Sequence, residues 1–373
     1  MACFWKNERN AVEVCDTPWT HGLGNFLYWS FDATMNPDDS SLVELKADLS
    51  GVIWHNTPGY IVPAAAGMVT FNRHLLIWDD FDDEGTWFWH IGGGQELAIP
   101  GTLGVDFPAY EQSNGYAGAA FRGSPLSELF FNQWVSGTAW DIWYTTDGVT
   151  WGELAAPFDV GYDPQAVFRI GPRLLAATSR ASPATTRMYY SDNNGSSWIF
   201  AAALTAQPAN AAFFKMGDGS VLVAYFGAYR VYAARTTDGA SWGAGSVSVG
   251  AGNSSYGTSV YGPMCSTNGN ERAVLVYKQD DPFVSMPGTT VVCAYTDDYG
   301  ATWIQVQLSA SGLPGSGWGS AALFWTGVQF ALVMTKDATQ ESRVYTSANG
   351  AVWSPDLVVP HYSLFARASA VVA

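Results

Sequence analysis

Six short polar phrases punctuate this chain, and around them apolar side chains recur with a period of two. Val291, Cys293 and Tyr295 lead into one phrase, and Trp303, Gln305 and Gln307 lead out of it. A period of two is that of a β-strand, whose side chains point alternately to opposite faces. The phrase itself, Tyr295 to Trp303, reads YTDDYGATW. It returns as YYSDNNGSSW ending at Trp198, YTTDGVTW at Trp151, RTTDGASW at Trp242, YTSANGAVW at Trp353 and, in worn form, DDEGTW at Trp87. Asp or Asn followed by Gly is hairpin-turn chemistry. The side-chain oxygen accepts backbone N–H groups, and Gly supplies the positive φ of the turn. Each phrase is therefore expected to join two strands, with its Trp opening the second strand and packing under the turn.

The closing Trp residues stand at 87, 151, 198, 242, 303 and 353. That spacing suits a unit of four strands with variable loops, repeated round an axis. A second repeat precedes the first and supplies an innermost strand rich in small residues: GYIVPAAAGMV from Gly59, GYAGAAFR from Gly115, GYDPQAVFR from Gly161, PANAAFFK from Pro208, SYGTSVYG from Ser255 and GWGSAALFW from Gly317. A second strand follows, as in RLLAATS from Arg173, SVLVAYF from Ser220, RAVLVYK from Arg272 and VQFALVM from Val328. The third leads into the phrase and the fourth leaves it. These units predict an all-β, seven-bladed β-propeller in a single domain over 1–373, with six blades as the alternative. The closing blade is expected to join a C-terminal strand in 361–373 to N-terminal strands in 10–48, drawn from NAVEV, NFLYWSF and SLVELKA. Closure removes exposed sheet edges. Segments 101–114 and 278–290 read as long loops.

The phrase resembles the Asp-box (BNR) repeat of sialidases and other β-propellers, Ser/Thr-x-Asp-x-Gly-x-Thr/Ser-Trp. TDDYGATW matches every fixed position, with Asp298 and Trp303 in the named places. SDNNGSSW has Asn193 for the Asp, before Trp198. The copies with Asp147 and Trp151, and with Asp238 and Trp242, are one residue shorter; the last offers Asn349 or Ala348 before Trp353. The resemblance implies a structural role for these residues, at the blade periphery and away from a ligand face. It also implies what an active sialidase needs: three arginines on a carboxylate, a Tyr–Glu nucleophile pair and an acid/base Asp. Phe168-Arg169-Ile170-Gly171-Pro172 is similar to the motif supplying the first arginine, but has an inserted Gly and follows a box instead of lying in the first blade. No partners for Arg169 stand out. Tyr162 and Asp163 adjoin without an identifiable Glu.

The charge narrows the partners. At −16, with no basic stripe, the chain is a poor match for nucleic acid or an anionic membrane, and no apolar run is long enough for a membrane helix. The four cysteines, Cys3, Cys15, Cys265 and Cys293, form no CxxC pair. Cys265 and Cys293 fall in one predicted blade, as buried thiols or as a bridge. The run from Asp79 to Glu84 offers oxygen ligands for Ca²⁺ but lacks EF-hand spacing and overlaps the worn phrase, so a solvated turn is expected and no cofactor is assigned.

The ligand face should lie opposite the turns. There the innermost strand opens with an aromatic in six units: Tyr60, Tyr116, Tyr162, Tyr256, Trp318 and Tyr362. Such rings either plug gaps between blades or offer flat surfaces to a sugar or protein. Asp163, Asp280, Asp281 and Glu111 are carboxylates on candidate loops, with no spacing that pairs them for glycoside hydrolysis. The expectation is a non-catalytic binding or structural propeller. Its setting is a phage virion (tail or decoration), in contact with host-surface glycan or another virion protein, and it is homo-oligomeric or multivalent in the assembly. No basic leader opens the sequence, which suits release by host lysis; secretion with a missing leader and a cytoplasmic location are the alternatives. The alternative functions are a sialidase-like glycoside hydrolase and an intracellular assembly scaffold.

Overall fold

The computed structural model describes 27 strands between Phe26 and Ala370, the turn segments 171–172, 192–198, 216–220, 237–243, 268–272, 297–303, 311–314, 326–329 and 348–353, and residues 146, 155, 162 and 306. The strands form seven antiparallel sheets, six of four strands and one of three. Within each sheet, strands adjacent in sequence are adjacent in space, except that Arg367–Ala370 pairs with Phe26–Ser30.

The second strand of each well-described sheet explains the arrangement. Leu174, Leu175, Ala176 and Ala177 are all fully buried, as are Ala273 to Val276 and Phe330 to Met334. A strand with both faces covered reads as a continuous apolar run and loses its alternation. The covering comes from the neighbouring sheets. Phe130, Ile142 and Leu154 meet Val167, Leu174, Ala176 and Tyr189 of the next sheet. The opposite face, through Ala166, Ala177, Met188 and Leu204, meets Ala211, Val223, Tyr225 and Ala234 of the one after. The same sandwiching recurs between the sheets of Leu222 and Leu275, and between those of Val274 and Leu332. Small residues at the first strands let the sheets converge. Contacts run from Ala65–Phe71 to Ala119–Arg122, Asp163–Ile170, Ala209–Lys215, Met264–Thr267, Gly319–Trp325 and Arg367–Ala370, and from there back to Ala65–Phe71.

Several expectations shift. In the three-stranded sheet, Trp89–Ile91 pairs with His74–Asp79, so DDEGTW joins the second and third strands, whereas the other phrases join the third and fourth. Turn composition alone does not reveal which connection a turn makes. For the same reason Trp89 and His90 lie in a third strand, not a fourth. The N-terminal contribution to the first sheet is Phe26–Ser30, Ser41–Leu45 and Val52–Asn56; the last lies beyond residue 48, and NAVEV lies outside the described residues. The sheet expected to open at SYGTSVYG has Met264–Thr267 as its first strand. The expected loop 278–290 shrinks, because Lys278, Gln279 and Asp280 pair with Val291, Thr290 and Thr289. Backbone pairing tolerates polar side chains at a sheet end. Among the phrase tryptophans, Trp151 opens a strand, whereas the strands after Trp198, Trp242, Trp303 and Trp353 begin at Ile199, Val247, Ile304 and Ser354.

Cys265 and Cys293 are free thiols. They pair with consecutive residues of the strand between them, Leu275 and Val276, and so face opposite sides of the sheet, out of reach of each other. Burial pushes the Cys265 thiol up to about 12 and the Cys293 thiol up to about 11. Cys293 is fully buried, so it should stay unlabelled by a thiol-disulfide reagent at pH 8 in the native protein and react only on unfolding. Labelling at the rate of a free thiol would contradict this packing.

Candidate functional site

Each sheet has two ends. One carries the turns between first and second strands and between third and fourth strands; the other carries the remaining connections. The turn end is the better described, and its geometry follows from the sequence phrase. Asp298 Oδ1 accepts the Thr302 N–H at 2.8 Å and the Thr296 hydroxyl at 2.7 Å, and Oδ2 accepts the Thr302 hydroxyl at 2.5 Å. Gly300 N–H donates to Thr296 Oγ1 at 3.0 Å. Asn193 does the same work with an amide: Oδ1 accepts the Ser197 N–H at 2.9 Å, and Nδ2 donates to Ser197 Oγ at 2.7 Å. Asp238 accepts the Ala240 and Ser241 N–H groups at 2.9 and 2.7 Å. In the last turn the acceptor is Asn349, not Ala348, with the Ala351 and Val352 N–H groups at 2.9 and 3.2 Å.

The difference in phrase length has a backbone cause. The longer copies carry an extra residue in left-handed conformation before the glycine, Asn194 at φ 57 and Tyr299 at φ 58; the shorter copies omit it. The glycine has positive φ in both forms, 86 at Gly300 and 75 at Gly239. Replacing Asp298 with Asn should therefore cost under about 1 kcal/mol, as the Asn193 turn shows the amide fits, whereas Asp298→Ala leaves one N–H and two hydroxyl donors unmatched and should cost about 1–3 kcal/mol. Equal losses for the two variants in chemical denaturation would count against this account.

Arginines tie the turns together. Arg173 grips Asp192 with two bonds, at 2.6 and 2.9 Å, and donates to the Asp238 carbonyl of the next sheet at 2.6 Å. Arg235 pairs with Asp218, and Arg272 with Asp297. The carboxylates respond. The bond from Arg173 holds Asp192 below its ordinary range, and the Ser241 N–H does so for Asp238. At Asp298 and Asp218 burial pushes upward, but hydrogen bonds from Thr302 and from Ser220 outweigh it and the net shift is down. A carboxylate lowered by folding contributes stability above its unfolded pKa of about 3.9 and loses it as pH falls through the lower folded value. The folded state should thus hold its stability down to about pH 4 and lose it steeply below. A thermal midpoint unchanged between pH 5 and pH 2 would sink that expectation.

At the opposite end, one of the six candidate aromatics is among the described residues. Tyr162, just before strand Asp163–Ile170, is 4 % exposed, with the Arg187 guanidinium 4.2 Å and the Arg180 guanidinium 5.7 Å from its ring. Its ring fills the interior and presents no open face. Tyr60, Tyr116, Tyr256, Trp318 and Tyr362 lie outside the described residues. Arg169 sits at the other end of the same strand, about 23 Å from Tyr162 at roughly 3.3 Å per residue. Its guanidinium donates to the Pro172 carbonyl at 3.1 Å and to Asn194 Oδ1 at 2.5 Å, both in turns. Arg169 and Tyr162 therefore cannot share a ligand. The signal for this was in the sequence: Arg169 closes a strand that Tyr162 opens.

The remaining site residues divide simply. Asp147 lies outside the described residues, and of Trp151 only the strand position is described. Trp198, Trp242 and Trp303 are half-buried and Trp353 is buried. The Trp198 indole donates across the sheet boundary to the Ala155 carbonyl at 3.0 Å, and that of Trp353 to the Gly350 carbonyl at 3.2 Å. Asp79 ends strand His74–Asp79, and 80–84 lies outside the described residues. Asp163 and Asp280 are strand residues; Glu111 and Asp281 lie outside the described residues. Among the described residues no three His, Cys, Asp or Glu side chains gather as a metal site, and no helix is long and apolar enough to cross a membrane.

No protein-family model matches the chain, and no curated protein does. Solved structures do. A protein from Lactobacillus plantarum superposes with a TM-score of 0.56 at 10% identity, covering 92% of this chain and 99% of its own. A functionally unknown protein from Desulfotomaculum acetoxidans gives 0.54 at 10% identity, covering 92% and 98%. A putative 6-phosphogluconolactonase from Bacteroides fragilis gives 0.53 at 11% identity, covering 92% and 98%. The fold is all-β and propeller-like. At these identities the likeness extends to the fold alone.

Proposed function

We propose that the chain is a seven-bladed β-propeller of Asp-box type, one domain closed by Arg367–Ala370 against the N-terminal strands, serving as a non-catalytic binding or structural module. The cycle of contacts among the innermost strands, returning from Arg367–Ala370 to Ala65–Phe71, supports seven blades and closure. The observation that carries the non-catalytic reading is the state of the carboxylates. Among the described residues, the carboxylates with shifted pKa values all sit in turns and are shifted down, saturated with turn donors or paired with arginine. A general acid or base needs its pKa raised toward neutrality. The hydrolase alternative also needs Arg169 on the ligand face, and its guanidinium is held at the turn end.

The ligand face is the end opposite the turns, and its partner is host-surface glycan or another protein of a virion. The setting rests on composition, 39 Gly and 17 Trp in a strongly acidic chain. A glycan array run with mass spectrometry of released sugar tests the module. Binding without release is the expected result. Release of a monosaccharide would overturn the non-catalytic reading, and absence of the protein from purified particles would overturn the setting.

A further inference from the structure

Five large apolar side chains stand well exposed among the described residues: Ile199, Phe200, Ile304, Val328 and Val352. Two of them are neighbours. Ile199 and Phe200, 49 % and 51 % exposed, begin the outermost strand of their sheet, Ile199–Leu204, which reads IFAAAL. An outer strand offers a row of free backbone donors and acceptors, and proteins blunt such edges with charge, proline or shortness. Three other outer strands have such features, whereas Val52–Asn56 and Val247–Ala251 also lack acids, lysine, arginine and proline. Trp151–Leu154 carries Glu153, Ser354–Val359 carries Pro355 and Asp356, and Ile304–Gln305 spans two residues. Ile199–Leu204 has no charge and no proline; its one blunting device is the register shift at Ala201.

We propose that this edge pairs antiparallel with the same edge of a second copy of the chain, forming a two-fold dimer. The strand is complementary to itself. Reversed on its own copy, Ile199 lies across from Leu204, Phe200 across from Ala203, and Ala201 and Ala202 meet at the dyad, where small side chains admit close approach. Large opposite small is the pairing that fills a two-fold contact without clash. Charge permits the same place. Two molecules at −16 repel, so they meet where neither brings an acid. The strand has none, and the guanidinium of Arg187 lies 5.5 Å from the Phe200 ring. A six-residue edge buries less than the roughly 1,200 Å² of a standard stable interface, so the dimer is weak and reversible. It is independent of what the ligand face binds.

Sedimentation of the full chain over a concentration series tests this. The mass should rise from monomer toward dimer with concentration, and further with added salt, which screens the repulsion. Phe200→Lys should remain monomeric while keeping the thermal midpoint of the parent, because the side chain is half exposed. A cysteine at the dyad, Ala201→Cys, should oxidise to a covalent dimer faster than Ser196→Cys, placed on an exposed turn. A monomer at every concentration and salt, unchanged association in Phe200→Lys, or equal cross-linking of the two cysteines would each overturn the proposal.

Discussion

Trp353→Ala should lower the unfolding free energy by about 3–5 kcal/mol, the cost of deleting a large aromatic from a packed core. Trp353 is 2 % exposed and lies where two sheets meet, against Val274, Val276 and Cys293 on one side and Leu332 and Tyr345 on the other. Its backbone is also engaged, with the N–H donating to the Ser311 carbonyl at 2.7 Å. The sheets are held by neighbours on both faces, so they cannot collapse into the space the indole leaves. Trp198→Ala should cost less, because that ring is half-buried and its edge reaches solvent. Urea titration of both variants measures the difference. A Trp353→Ala loss under about 1 kcal/mol, or one no larger than that of Trp198→Ala, would contradict the inter-sheet packing described above.

Gly239→Ala should be nearly as costly, about 2–4 kcal/mol, from two separate penalties. The backbone there is left-handed, at φ 75, which costs a non-glycine residue about 1–2 kcal/mol. The added methyl would also stand 2.3 Å from Leu175 Cδ2 of the preceding sheet, an overpacking of about 1–3 kcal/mol. The second penalty is removable. In the Gly239→Ala, Leu175→Ala double variant the methyl gains room, so the loss should be smaller than the sum of the single losses by more than about 0.5 kcal/mol. Gly171→Ala isolates the backbone penalty, since φ is 56 and nothing lies within 4 Å of the new methyl. Strict additivity of Gly239→Ala and Leu175→Ala would show that the turn does not seat on the neighbouring sheet. Gly300 and Gly350 make the same kind of approach, to Leu222 at 2.5 Å and Val274 at 2.3 Å.

Those contacts mark where sequence reading ends. The strands and turns were legible because their causes are local. Asp298, Gly300 and Thr302 bond within a few residues of one another, so composition alone predicts the turn. The second strands were legible too, since Leu174 to Ala177 form an unbroken apolar run. Two features were not. Which connection DDEGTW makes depends on the pairing of Ile77 with Trp89, a choice between strands that the phrase does not encode. The pairing of Phe26–Ser30 with Arg367–Ala370 follows the expected joining of the two chain ends, but Val52–Asn56 enters that sheet by pairing with Ser41–Leu45, which the sequence did not mark.

By itself, then, the sequence determined an all-β chain of repeated four-strand units, with Asp or Asn, Gly and Trp at fixed turn places, because each feature arises from the backbone preferences of a few adjacent residues. Only the tertiary structure decided that the turn glycines seat on the neighbouring sheet, that Arg173 spans from Asp192 to the Asp238 carbonyl, that Tyr162 is interior, and that Ile199–Leu204 is left at an edge. Each of these depends on which sheet lies beside which, and that is settled by how apolar faces pair across the whole molecule.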